Sequence, residues 1–256
     1  MTLDAPEIAI LVLLGLAVGS FLNVCIHRLP LGQSLNSPPS RCPNCDYRLR
    51  WFDNIPVVSY VMLAGRCRKC RTRISIRYPI VELVTMGLFL LHGAVFGWTA
   101  LLIPRLVFAC ALVVLFAIDL EHHLLPNVIT LPGIVVGLIA SAVLPPGLVD
   151  AVIGVLVGGG VLWLIGEAYF RFSGHEGMGG GDVKMLAMIG AFLGWKLVLV
   201  TLVFSSVAGS IIGLFVIAIR KGDMKYALPY GTFLALGALV ASLAGEAIVN
   251  WYVGLY

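Results

Sequence analysis

Charge is what this sequence has least of: 12% of its 256 residues are charged, about half the share of an ordinary soluble domain. Hydrophobic residues make up 60% and the mean hydropathy is +1.01. These values exclude a soluble globular enzyme, which could not cover such a surface with polar groups, and a disordered chain, which lacks apolar residues. No basic residue precedes the first apolar run, Ile8 to Ile26, which is led by Asp4 and Glu7. Without a signal peptide's positive start, that run is expected to stay attached as a first helix. A glycine-rich strand-turn-helix cofactor motif is also missing, and nothing points to nucleic acid.

Long apolar runs are what the sequence does have. After the first, they occupy about 79–97, 99–118, 127–144, 149–169, 183–194, 196–219 and 232–254, separated by turn signals such as Gly97-Trp98-Thr99 and Pro145-Pro146-Gly147. A span needs about 20 apolar residues. The stretch from Val183 to Ile219, as one helix, would reach about 55 Å against a hydrocarbon core of about 30 Å. A break at Gly194-Trp195-Lys196 leaves a first piece rising only about 18 Å. The expected fold is all-α and polytopic, with about eight membrane-embedded helices.

One region is polar. Residues 27–78 form a domain outside the bilayer, between the first helix (1–26) and a membrane-embedded domain (79–256). Ten of the 17 basic residues lie there, from Arg28 to Arg77. Lysine and arginine favour the cytoplasmic side, so the domain is expected to be cytoplasmic and the N-terminus outside. Eight crossings then put Arg171, Lys184, Arg220, Lys221 and Lys225 inside as well, leaving Arg105 and Lys196 outside.

The polar domain contains Cys42-Pro-Asn-Cys45 and Cys67-Arg-Lys-Cys70, two C-x2-C knuckles 21 residues apart, close to the spacing of zinc ribbons. A two-residue gap lets both thiolates of a knuckle face one tetrahedral ion, and a reducing cytoplasm disfavours disulfides. Four thiolates leave no open coordination position, so Cys42, Cys45, Cys67 and Cys70 are expected to hold a structural zinc. The metal would stabilise a domain too small to rely on a core. Cys25 and Cys110, in apolar runs, read as small hydrophobes.

Acids in spanning segments are costly, so each position matters. Asp119 ends the third helix and Asp182 starts the sixth, in Gly177-Met-Gly179-Gly180-Gly181-Asp182-Val-Lys184. Both fall at the cytoplasmic membrane edge. Singly, Asp182 could be a helix N-cap and Asp119 a solvated loop residue. Together, two close carboxylates would share a proton and act as an acid and base pair. The glycines before Asp182 would let an extended substrate lie beside the acid. Glu121, His122 and His123 read as a wet interfacial loop, Lys184 as a snorkelling cation, and Asn23 as a bond between helices. Glu246 and His92 are intramembrane polar groups without assigned partners.

Several motifs agree in order: Gly19-Ser-Phe-Leu-Asn-Val24 leading to Arg28-Leu-Pro30, the paired knuckles, Arg77-Tyr78-Pro79 with Glu82, Asp119 with Pro126, and Gly179-x-Gly181-Asp182-x-Lys184. From about residue 15 to 231 the chain resembles bacterial type IV prepilin peptidases, membrane aspartic peptidases of the GxGD class. The resemblance implies Asp119 and Asp182 as the catalytic pair. Gly179, Gly181, Lys184 and Glu82 become candidates for lining the substrate or cofactor site. It further implies type IV prepilins and type II secretion pseudopilins as substrates, cut at the cytoplasmic face of the bacterial inner membrane. Transfer of a methyl group from S-adenosylmethionine to the new N-terminus would follow. Two alternatives stand beside it: a membrane methyltransferase with structural aspartates, and a non-enzymatic transporter or scaffold with a zinc-held domain.

Overall fold

The computed structural model of the chain describes residues 3–174, 179–219 and 229–255. It is helical throughout, apart from two isolated β-bridges. The helices are α1 (Ala5–Arg28), the short α2 (Val58–Met62), α3 (Arg77–Phe96), α4 (Leu102–His122), α5 (Asn127–Ser141), α6 (Leu148–Ser173), α7 (Gly180–Ile219) and α8 (Tyr230–Val253). Six of them are long and apolar enough to cross a membrane, and α5 is a shorter apolar helix. Leu13, Ile103, Leu156 and Phe215 are among many large apolar side chains on the outer surface. Water would not tolerate this arrangement but lipid does, and the protein is a multi-pass membrane protein. Arg220, Lys221, Lys225 and Gly177, all used in the sequence reading, lie outside the described residues.

The chain divides into two compact units, residues 1–102 and 103–256. In the first, α1 packs on α3. Gly15 and Gly19 let the two backbones approach closely, since a Cβ at either position would meet the α3 backbone at 2.7 Å, as small residues do between membrane helices. Asn23 bridges the pair as expected, donating to the Tyr78 carbonyl at 3.0 Å and to the Gly19 carbonyl within its own helix.

The second unit has one apolar core, formed by Phe108, Leu112 and Leu115 of α4 with residues of α6, α7 and α8. Phe108 stacks on Phe192 with ring centroids 4.8 Å apart. Where α6 crosses α7, Gly154 and Gly190 stand backbone to backbone with no room for a side chain. α5 docks on α7 through Ser141, whose hydroxyl donates to the Ala191 carbonyl at 2.9 Å.

The break inside α7 falls at Gly194, with φ 76° and ψ 170°. The 40-residue element is thus two helices end to end, and the described residues hold eight apolar helical segments, as the hydropathy implies. Gly180 to Leu193 rises about 21 Å and α5 about 22 Å, both short of the hydrocarbon thickness. α5 ends at Ser141, earlier than the apolar run to 144 suggests, because Pro145-Pro146-Gly147 forces a turn before α6 starts at Leu148.

A positive φ at Gly194 has a measurable consequence. A Cβ there would meet Pro146 at 3.0 Å and sit in a backbone region essentially restricted to glycine, costing L-residues about 1–3 kcal/mol. Gly194→Ala is expected to lower the thermal midpoint of the detergent-solubilised protein. Gly160→Ala, in open space on α6, is expected to leave it unchanged or raise it by the helix propensity gain of about 0.5–1 kcal/mol.

Candidate active site

Asp119 lies in the last turn of α4 and is buried, with 5% of its surface exposed. Its Oδ2 accepts two hydrogen bonds from Thr232, one from the backbone N–H at 2.7 Å and one from the hydroxyl at 3.1 Å. Thr232 is the third residue of α8, whose N-cap is Pro229. The N–H groups of a helix's first turn have no partner within the helix and carry the positive end of its dipole. Asp119 therefore binds a helix N-terminus, as an anion does. Gly231 makes room: a Cβ there would sit 3.0 Å from Asp119 Oδ2 and 2.9 Å from Leu125.

Asp182 lies in the first turn of α7. Its N–H donates to the Gly179 carbonyl at 3.1 Å, and the Gly179 N–H donates back to its carboxylate, half of a capping box. Capping and facing the cleft coexist in this side chain. Asp119 and Asp182 act on each other electrostatically and line one open cleft of about 370 Å³. The cleft is shared with His123, Leu124, Leu125, Asn127, Gly179, Gly180, Gly181 and Lys184. Both acids meet positive helix ends, which stabilise negative charge.

The structure places three of the residues weighed in the sequence. Lys184, read both as a snorkelling cation and as a candidate for lining the site, donates from Nζ to Asn127 Oδ1 at 2.9 Å and borders the cleft. His123 follows α4 in a left-handed conformation, φ 51°, exposed in the loop the sequence reading expected, and borders the cleft from there. Glu82 belongs to the other compact unit. There it is buried, accepting the Val57 N–H at 2.8 Å and a bond from Ser20, and it ties the polar segment to α1 and α3.

Thr232, Gly231, Leu125 and Asn127 were not marked by the sequence reading. Pro229 before an apolar run was the available signal, because it marks a helix start and so a set of free N–H groups.

The four cysteines form a second site. The knuckles are built alike: Cys42 N–H bonds to the Tyr47 carbonyl at 3.0 Å and Cys67 N–H to the Thr72 carbonyl at 2.9 Å. Asp46 and Arg71 take matching left-handed turns, φ 52° and 60°. All four Sγ atoms lie within 4.8 Å of one another, Cys42 to Cys70 at 3.7 Å and Cys45 to Cys67 at 3.9 Å. That is too far for disulfides and fits a tetrahedral ion with bonds of about 2.3 Å, which sets sulfurs about 3.8 Å apart. It is the one group of potential metal ligands found among the described residues. The Cys70 thiol falls to about 5, chiefly through its hydrogen bonds with the Thr72 side chain and backbone. Asn44 donates to the Thr72 hydroxyl oxygen at 2.9 Å.

Asp53 organises the segment between the knuckles. Burial works against its charge, but Arg68 Nε at 2.7 Å, the Arg50 N–H and the Tyr47 hydroxyl outweigh that and hold its carboxyl below the usual range. The folded domain thus binds this proton more weakly than the unfolded chain. Its contribution is complete above the ordinary carboxylate pKa and is lost as pH falls through the lowered one. Arg68 is half exposed, so Asp53→Asn is expected to cost on the order of 1 kcal/mol at neutral pH. Hydrogen exchange over residues 41–73 checks it, the difference from wild type disappearing in acid.

Comparison with known proteins adds the family. The model of the bacterial peptidase A24 N-terminal domain matches residues 13–96, and that of the type IV leader peptidase family matches 106–214. A prepilin leader peptidase/N-methyltransferase of Pseudomonas aeruginosa is 38% identical, over 94% of this chain and 92% of its own. One from Legionella pneumophila is 36% identical over 95% and 93%, and one from Myxococcus xanthus is 44% identical over 80% and 61%. No solved structure matches the chain significantly. With relatives aligned along nearly its whole length, and with the family model spanning the segment that carries both cleft carboxylates, the chain belongs to the type IV leader peptidase family.

Proposed function

We propose that this protein is a membrane aspartic endopeptidase that removes the basic leader from type IV prepilins and type II pseudopilins, with Asp119 and Asp182 as its catalytic pair. The observation that carries the reading is the shared open cleft, lined by two carboxylates, each at a helix N-terminus, and bordered by glycines. One carboxylate takes a proton from water as the water attacks the scissile carbonyl, and the other, protonated, donates to the developing oxyanion. Gly179, Gly180 and Gly181 leave room for an extended chain beside Asp182, and Lys184 with Asn127 forms the polar rim where it enters. A transporter would need its acids deep in the bilayer; these sit at helix ends, where water is available.

The relatives' names include an N-methyltransferase, and the same assignment gives this chain a second step, methyl transfer from S-adenosylmethionine to the new N-terminal amine. The metal held by Cys42, Cys45, Cys67 and Cys70 is zinc, which closes the two knuckles around one centre and takes no part in cleavage. The three parts are then the first helix (1–26), the zinc domain (27–78) and the peptidase domain (79–256). The setting is the bacterial inner membrane, with the N-terminus outside and the zinc domain and both aspartates inside. A substrate's basic leader stays on that side for the same reason the zinc domain does.

Co-expression with a model prepilin tests the reading, leader loss being followed by gel shift and the product N-terminus by mass spectrometry. Asp119→Asn and Asp182→Asn are each expected to slow cleavage by at least about 100-fold, and wild-type product is expected to carry one added methyl. Cleavage surviving in both variants would return the aspartates to a structural role. The purified protein is expected to contain about one zinc per chain. Cys42→Ser with Cys67→Ser is expected to lose it and to expose residues 29–76 to protease.

A further inference from the structure

Three of the other buried threonines, Thr85, Thr130 and Thr201, return their hydroxyls to the carbonyl four residues back, on Val81, Pro126 and Leu197. That is the usual fate of a threonine in an apolar helix. Thr232 is buried as well, but its hydroxyl goes to a carboxylate on another helix, 113 residues away in sequence. Its own N–H reaches the same oxygen at 2.7 Å, a length typical of charge-assisted bonds. Two donors use both lone pairs of Asp119 Oδ2. Among the described residues no donor reaches Oδ1, and Asp119 lines the cleft.

We infer that Thr232 is a positioning residue: by holding Oδ2 of Asp119 from two sides it presents Oδ1 to the attacking water, which makes Asp119 the base and Asp182 the acid. The inference rests on the peptidase reading and assigns roles within it. Water's oxygen bonds to the scissile carbonyl carbon, its proton passes to Asp119 Oδ1, and the proton of Asp182 goes to the carbonyl oxygen, giving a neutral gem-diol. On collapse the C–N bond breaks with its electron pair going to nitrogen. The Oδ1 proton moves to that nitrogen and one hydroxyl proton returns to Asp182. Both carboxyls end as they began.

Serine keeps the hydroxyl, whereas alanine and valine lose it and keep the N–H. The full-length proteins, purified in detergent, are compared on a model prepilin with Asp119→Asn and Asp182→Asn in the same series, and thermal midpoints are recorded. Thr232→Val and Thr232→Ala are expected to lower kcat on the order of tenfold with KM within about twofold, and Thr232→Ser to restore kcat to within about threefold of wild type. Should the valine variant not fold, serine against alanine decides the matter, since both lack the γ-methyl and only serine keeps the hydroxyl. Unchanged kcat in the valine and alanine variants would overturn the inference, as would equal losses in all three that track the thermal midpoint. Cleavage by the Asp119→Asn and Asp182→Asn variants would instead overturn the peptidase reading itself.

Discussion

A carboxylate at the end of an apolar helix bundle has little water to solvate it on its protein side, and an unpaired buried charge costs several kcal/mol. Asp119 meets this constraint with donors from the first turn of α8. Asp182 meets it in the first turn of α7, through a reciprocal bond with Gly179. Much of the second unit follows from these two solutions. α8 must begin where α4 ends, and α7 must begin beside them, so three helix termini converge on one cleft. The close backbone contact of Gly154 with Gly190, and the absence of a side chain at Gly231 beside Leu125 and Asp119, let the helices approach closely enough for that convergence. Helix dipoles stabilise negative charge on both acids in this cleft, which Lys184 also borders.

The cysteine-bearing segment solves a different problem by similar means. Its core is too small to fold on apolar burial alone, and two knuckles of identical hydrogen-bond pattern bring four sulfurs to the spacing of one tetrahedral ion. Asp53, Arg68 and Tyr47 tie the intervening chain together, and Glu82 anchors the segment to α3 by accepting the Val57 N–H.

Much of this was legible in the sequence, for reasons that can be named. Apolar run length gave the helices, and the excess of length between Val183 and Ile219 located the break at Gly194, because only one glycine there lies where a span must end. Knuckle spacing encodes the metal geometry directly. The acids stood out because hydrocarbon makes them rare. Thr232 did not stand out: a threonine in an apolar helix ordinarily bonds its own backbone, and its partner is 113 positions away. The conformation of His123 and the bond from Lys184 to Asn127 also depend on how the ends of α4, α5 and α7 meet, which no local pattern encodes.

The central claim is that Asp119 and Asp182 grip the same reacting atom. Its most direct test is a structure of the protein in a lipid nanodisc, bound to a prepilin-derived peptide whose scissile bond is replaced by a hydroxyethylene isostere. The account predicts the isostere's hydroxyl within hydrogen-bond reach, about 2.6–3.2 Å, of both carboxylates, with Thr232 still on Oδ2 of Asp119. A peptide seated elsewhere, or carboxyls held about 10 Å or more apart around it, would contradict the account.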